Sequence, residues 1–251
     1  MTAVSDIRIL STPQALFEAA ADDFVQAAKT AVAASGRFTV ALSGGSTPKG
    51  LFQVLSTKDH DLLPWDRMFF FFGDERHVPP DSPESNYRMA KENLFSKVPV
   101  PEVNIYRIKA EDEDANRAAA EYEKTLREFF GLPEGQVPRF DLILLGMGPD
   151  GHTASLFPET SALHETAKLV VSNWVPKFTS YRITFTTTLL NAAGQVNFLV
   201  AGADKAAALK AVLESNESAD LYPSKRIHPV NGKLEWLVDE AAAQQLRARS
   251  A

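Results

Sequence analysis

Phe38-Thr39-Val40-Ala41-Leu42 runs directly into Ser43-Gly44-Gly45-Ser46-Thr47-Pro48, and a helical pattern through Leu51, Phe52 and Leu55 follows. The junction is an apolar run of strand length, then a small-residue turn, then a helix. Three more segments share this design: Met68–Phe72 before Gly73-Asp74, 142–145 before Gly146, and 196–201 before Gly202. Runs without polar alternation are what strands covered on both faces look like, because helices pack above and below a parallel sheet. Each run is too short for a buried helix, and Phe, Val and Ile favour extended backbone.

Between these runs lie helical patterns. Leu16, Phe17, Ala20, Phe24, Ala27, Ala28 and Ala31 share one face, with Asp22, Asp23 and Lys29 opposite and Thr12-Pro13 as the start. Ala115, Ala118, Ala119, Tyr122, Leu126 and Phe129 repeat the pattern up to Gly131-Leu132-Pro133, and 203–214 and 239–248 read likewise. Alternating strands and helices predict an α/β protein, an open three-layer αβα sandwich with one mostly parallel, Rossmann-like sheet. The Pro-rich stretches 78–83 and 98–101 are too short to divide the chain, so a single domain over 1–251 is expected.

With 251 residues, 45% hydrophobic and 23% charged, the chain can bury a sizeable core without staples. It has no cysteine, which excludes disulfides, thiolate nucleophiles and cysteine metal sites and suits a reducing, cytoplasmic setting. The amino terminus lacks a basic segment leading into an apolar run, and no stretch is apolar for the roughly 18 residues that a membrane span needs. Net charge is −6 with Lys and Arg scattered, so neither nucleic acid nor membrane is an expected partner. An anionic small ligand would need local help.

The turn Ser43-Gly44-Gly45-Ser46-Thr47 offers that help: the glycines admit close backbone approach, the hydroxyls add donors, and Pro48 suits a first helical turn. A helix N-terminus of this kind is an anion site. A plain glycine turn with a Ser or Thr cap has the same local sequence, and the Walker spacing G-x-x-x-x-G-K-[ST] is absent. Arg182, in a strand-like stretch, and Lys205, at another strand end, are candidate cations for the anion, although either by itself is more often a solvated charge.

Gly146-Met147-Gly148-Pro149-Asp150-Gly151-His152 matches G-x-G-x-x-G, yet it is not a dinucleotide fingerprint. Its loop is polar, and the next strand candidate, 168–171, ends in Ser172-Asn173 instead of an acidic residue. What stands out is a carboxylate and an imidazole two residues apart, a pairing in which His152 can take a proton from water near neutral pH and Asp150 can orient the ring. A histidine that caps the following turn is the alternative. His60, His164 and His228 read as surface loop residues, and His77 borders the next motif.

That motif is Gly73-Asp74-Glu75-Arg76. Charges directly after a strand lie at the mouth of such a site, where Asp74 would face substrate and Arg76 would meet developing negative charge. For Glu75 a solvated turn is expected. G-x-S-x-G is missing and no H-E-x-x-H or comparable ligand spacing suggests a metal, so water activation without a covalent intermediate fits the residues.

Together with Ser85-Asn86-Tyr87-Arg88, the extension Thr153-Ala154-Ser155-Leu156-Phe157-Pro158 and the stretch 182–191, these blocks resemble the 6-phosphogluconolactonase family over about residues 10–240. The resemblance implies the fold shared with glucosamine-6-phosphate deaminase and cofactor-free hydrolysis of a small phosphorylated sugar lactone, 6-phospho-D-glucono-1,5-lactone, in the oxidative pentose phosphate pathway. It implies that the 43–47 loop, Arg182 and Lys205 surround the phosphate and that His152 is the base. Asp74 and Asp150 would orient water, substrate or imidazole. A monomer or weak homo-oligomer is expected. Two rivals share the fold. A sugar-phosphate deaminase or isomerase would carry a glutamate where this chain has Phe157, and a non-catalytic sensor would carry a DNA-binding segment, for which a strand at Ile7 leaves no room.

Overall fold

Phe38–Leu42 is buried at every position, which a strand can be only with protein on both faces. The computed structural model describes residues 6–57, 63–133 and 135–247. In chain order the elements are β1 (Asp6–Leu10), α1 (Pro13–Ser35), β2 (Phe38–Leu42), α2 (Ser46–Leu55), β3 (Met68–Phe72), β4 (Asp74–Arg76), α3 (Asn86–Ala90), β5 (Ile105–Tyr106) and α4 (Ala115–Phe130). Then come β6 (Leu142–Gly146), β7 (Val170–Val175), β8 (Ser180–Phe185), α5 (Thr187–Leu190), β9 (Gln195–Val200), α6 (Ala206–Glu214), β10 (Lys233–Asp239) and α7 (Glu240–Ala243).

The main sheet has the order β1-β10-β9-β6-β2-β3-β5, and every pairing in it is parallel. Its four consecutive strands β9-β6-β2-β3 are the four apolar runs of the sequence. Because they are parallel, the turns that follow them gather along one edge, where ligands of open α/β sheets bind. The core beneath is strongly aromatic: Phe71 stacks on Tyr106 and meets Phe129 and Phe140 edge-on. Since β5 is only two residues long, the Phe72 N–H finds its acceptor in the Tyr122 hydroxyl at 2.8 Å, which in turn donates to the Tyr106 carbonyl.

One sheet was expected, and among the described residues there are two. Strands β4-β8-β7 form a separate antiparallel sheet. The chain changes sheets at Gly73, whose N–H donates to Leu42 of the main sheet and whose carbonyl accepts from Phe185 of the small one. The strand candidate 168–171 also extends further than its polar residues suggested, since β7 continues through Ser172 and Asn173. Asn173 is fully buried there, its Nδ2 donating to the Ser155 carbonyl and to Thr160 Oγ1 at 2.9 Å each.

Helix starts follow the sequence signals. Thr12 caps α1 by accepting from Ala15, with Pro13 in the first turn, and α1 ends in left-handed Gly36. The pattern over 203–214 begins as a 3-10 turn, Ala203–Lys205, before α6. That over 239–248 shortens to α7, because Asp239 ends β10 and its side chain caps the helix; Ala248 lies outside the described residues. Among the described residues no helix is long and apolar enough to cross a membrane, and no three His, Cys, Asp or Glu side chains are grouped to hold a metal ion.

Candidate active site

The turns after β2, β3, β6 and β9 enclose a cleft of ≈ 180 Å³. Two hollows elsewhere are larger, ≈ 670 and ≈ 980 Å³. Volume does not single out the site; the convergence of polar groups at the strand ends does. The whole 43–47 loop lines the cleft, as do Asp74, Arg76, His152 and Lys205.

The anion half is built by β2 and α2. No side chain caps the first turn of α2, so the cap expected of a plain Ser/Thr turn is not formed and the helix start faces the cleft. Gly44 must be glycine for space: a Cβ there would sit 1.9 Å from Asn86 Oδ1. Lys205 adds a cation, held 2.9 Å from Asp204.

Arg182 is not among the residues that line the cleft. It pairs across β8 and β4 with Arg76, which does line it. Arg182 is buried, its Nη1 has no hydrogen-bond partner, and its guanidinium lies 5.1 Å from the centre of the Phe178 ring. Burial, and then the neighbouring Arg76 charge, lower its pKa. Two adjacent cations, one with a buried Nη1 that has no hydrogen-bond partner, make this wall receptive to an anion. Arg76 itself is steadied by donating to the Glu84 carbonyl at 2.7 Å.

Asp74 is nearly buried in the cleft wall. Ser155 Oγ donates to its Oδ2 at 2.6 Å, and Asn86 Nδ2 donates to its carbonyl at 3.0 Å. Glu75, expected in a solvated turn, is instead 2% exposed. Its carboxylate accepts from the N–H groups of Arg76, Asn86 and Tyr87 and from Ser85 Oγ, at 2.7 to 3.0 Å, and so ties β4 to the start of α3. Burial pushes its pKa up while the backbone donors pull it down. Glu75→Gln presents an NH₂ to donors that need an acceptor, so it should cost about 2 kcal/mol and lower Tm by roughly 4–8 °C, read by calorimetry.

The turn after β6 carries the carboxylate and the imidazole. Gly148 N–H donates to the His152 carbonyl and Gly151 N–H to that of Gly148, closing the loop. His152 Nδ1 lies 2.5 Å from Asp150 Oδ1. Lys177 Nζ donates to Asp150 Oδ2 at 3.0 Å. Partial burial works against the Asp150 charge, yet the bonds from His152 and Lys177 hold its carboxyl well below the usual range. Asp150 is therefore the carboxylate that orients His152, a question the sequence left between Asp74 and Asp150. With Nδ1 engaged by Asp150, Nε2 has no partner among the described residues. Phe157 stacks on the imidazole, centroids 4.0 Å apart.

The structure thus brings together the 43–47 loop, Lys205, Asp74, Arg76, Asp150 and His152, with Arg182 one step behind. His164 and His228 are exposed, His77 turns to the Asp112 carbonyl, and His60 lies outside the described residues. Sequence reasoning missed Lys177 and Ser155 as contacts of the site carboxylates and Phe157 as the floor of the imidazole. Lys177 and Ser155 meet partners from other segments, so no local pattern marks them, whereas Phe157 lies on the same loop as His152.

The family described as glucosamine-6-phosphate isomerases/6-phosphogluconolactonase matches residues 11–236. A protein of Nostoc sp. named 6-phosphogluconolactonase is 43% identical over 241 residues, covering 96% of this chain and 98% of that protein. The solved 6-phosphogluconolactonase from Trypanosoma cruzi superposes with a TM-score of 0.87 at 30% identity, covering 99% of each chain. A solved monomeric glucosamine-6-phosphate deaminase, at 20% identity and a TM-score of 0.78, shares the fold.

Proposed function

Because the chain belongs to the glucosamine-6-phosphate isomerase/6-phosphogluconolactonase family, we propose that it hydrolyses 6-phospho-D-glucono-1,5-lactone to 6-phospho-D-gluconate, a step of the oxidative pentose phosphate pathway. The observation that carries this reading is a carboxylate-paired imidazole facing the same cleft as an uncapped helix start and a lysine.

The phosphate binds at the 43–47 loop and Lys205, with Arg182 adding its charge from behind Arg76. This sets C1 of the lactone beside a water at His152 Nε2. As the water oxygen bonds to C1, its proton passes to Nε2, and Asp150 stabilises the imidazolium that results. Negative charge gathers on the former carbonyl oxygen, where Arg76 and backbone N–H groups meet it. Collapse breaks the bond from C1 to the ring oxygen, which takes the proton back from His152. The acid formed then loses a proton to solvent. Asp74, fixed by Ser155 and Asn86, accepts from substrate hydroxyls or the water.

Phe157 favours this reading over the deaminase. At the position where the resemblance calls for a ring-opening glutamate, an uncharged ring packs flat on His152. The test is 6-phosphogluconate formation from freshly made lactone, followed against the spontaneous rate. No acceleration, together with ammonia release from glucosamine 6-phosphate, would replace the lactonase by the deaminase. For the anion half, Lys205→Ala should lower kcat/KM on the phosphorylated lactone by about 10- to 100-fold. Unphosphorylated gluconolactone should lose much less, and equal losses on both would take Lys205 off the phosphate.

A further inference from the structure

The β7–β8 hairpin enters the site from a sheet that the phosphate loop does not belong to. Its tip is the 3-10 turn Pro176–Phe178 followed by left-handed Thr179. Its base is clamped, because buried Asn173 Nδ2 bonds to Ser155 and Thr160, and the same Ser155 holds Asp74. Two consecutive tip residues reach the catalytic pair. Lys177 Nζ bonds to Asp150 Oδ2, while Phe178 meets Phe157 edge-on at 5.6 Å, and Phe157 in turn lies flat on His152.

We infer that Lys177 is a positioning residue of the hydrolysis: it occupies Asp150 Oδ2 so that Oδ1 is fixed on His152 Nδ1. This rests on the reading of His152 as the base. Without Lys177, Asp150 would keep donors on Oδ1 alone, His152 Nδ1 and the His152 backbone N–H at 3.3 Å, and its Oδ2 would be left to water. A donor on each oxygen fixes the carboxyl plane, and with it the imidazole and the direction of Nε2. The ion pair contributes little to stability, since the Lys177 side chain is 55% exposed. Its effect is on geometry and charge. The other charges facing the pair are Arg76, Asp74 and Lys205 on the cleft walls and Arg182 across Phe178.

The test compares Lys177→Met, Lys177→Arg, Asp150→Asn, His152→Asn and the double variant Lys177→Met/Asp150→Asn, with rates corrected for spontaneous hydrolysis. In Lys177→Met, kcat should fall about tenfold while KM changes less than about twofold. Lys177→Arg should recover most of kcat, and in the Asp150→Asn background Lys177→Met should change nothing further. The assignment is overturned by an unchanged kcat in Lys177→Met, by a raised KM with normal kcat, by a failure of Lys177→Arg to recover kcat, or by an undiminished effect in the Asp150→Asn background. His152→Asn separates the two readings: if it stays active, the base assignment itself fails, and if it is inactive while Lys177→Met is normal, only the role of Lys177 fails.

Discussion

His152→Asn should lower kcat by about 10²- to 10⁴-fold, the range a positioned general base supplies. The asparagine amide can still donate toward Asp150 Oδ1 in place of Nδ1, and it preserves much of the side-chain volume beneath Phe157. What it lacks is a basic nitrogen where Nε2 points. Substrate contacts at the 43–47 loop and Lys205 are untouched, so KM should change little, as for a group whose work is done in the transition state. The measurement is initial-rate kinetics on fresh lactone after subtraction of the spontaneous rate. A corrected kcat within a factor of a few of the parent would remove His152 from the mechanism.

Gly148→Ala should be nearly as damaging, although it removes no functional group. A Cβ at 148 would fall 2.0 Å from His152 Nδ1 and 2.7 Å from Asp150 Oδ1, inside both contact distances. Either the imidazole or the carboxylate must swing aside, and the 2.5 Å contact between them breaks. A displacement of about 1 Å at a reacting group costs on the order of 10²-fold in rate. Gly148 is not in a left-handed conformation, so alanine is allowed by the backbone and the fold should survive. The expected result is a loss of about 10²-fold in kcat with a nearly unchanged melting temperature and circular dichroism spectrum. Retained activity would mean that the pair has a second productive arrangement.

Two of the corrections to the sequence reading share one cause. Glu75 looked like one of three charges in a solvated turn, yet it is the buried acceptor for the start of α3. Ser172-Asn173 looked like a strand end, yet Asn173 is buried inside β7 with its amide donating to a neighbouring loop. In both cases a polar side chain is satisfied by groups distant along the chain, so its local sequence carries the signature of exposure while its surroundings are interior. The three charges after β3 show how far local reading reaches. Asp74 and Arg76 were placed at the mouth of the site because they follow a buried strand, and they line it. Glu75, between them in an extended strand, points the other way.

By itself the sequence determined the layered α/β architecture, the central strands and the strand ends at which the site forms. Burial on both faces and the need for glycine at close turns are local requirements, and they leave local marks. It also yielded the Asp150-x-His152 pair, two residues apart on one turn. Only the tertiary structure decided what holds these groups. Ser155 reaches Asp74 across 81 positions, and Lys177 reaches Asp150 across 27. The departure of the chain into a second sheet at Gly73 brings Arg182 behind Arg76. Contacts of this kind join side chains whose neighbours in sequence say nothing about one another, and they exist only once two sheets have packed together.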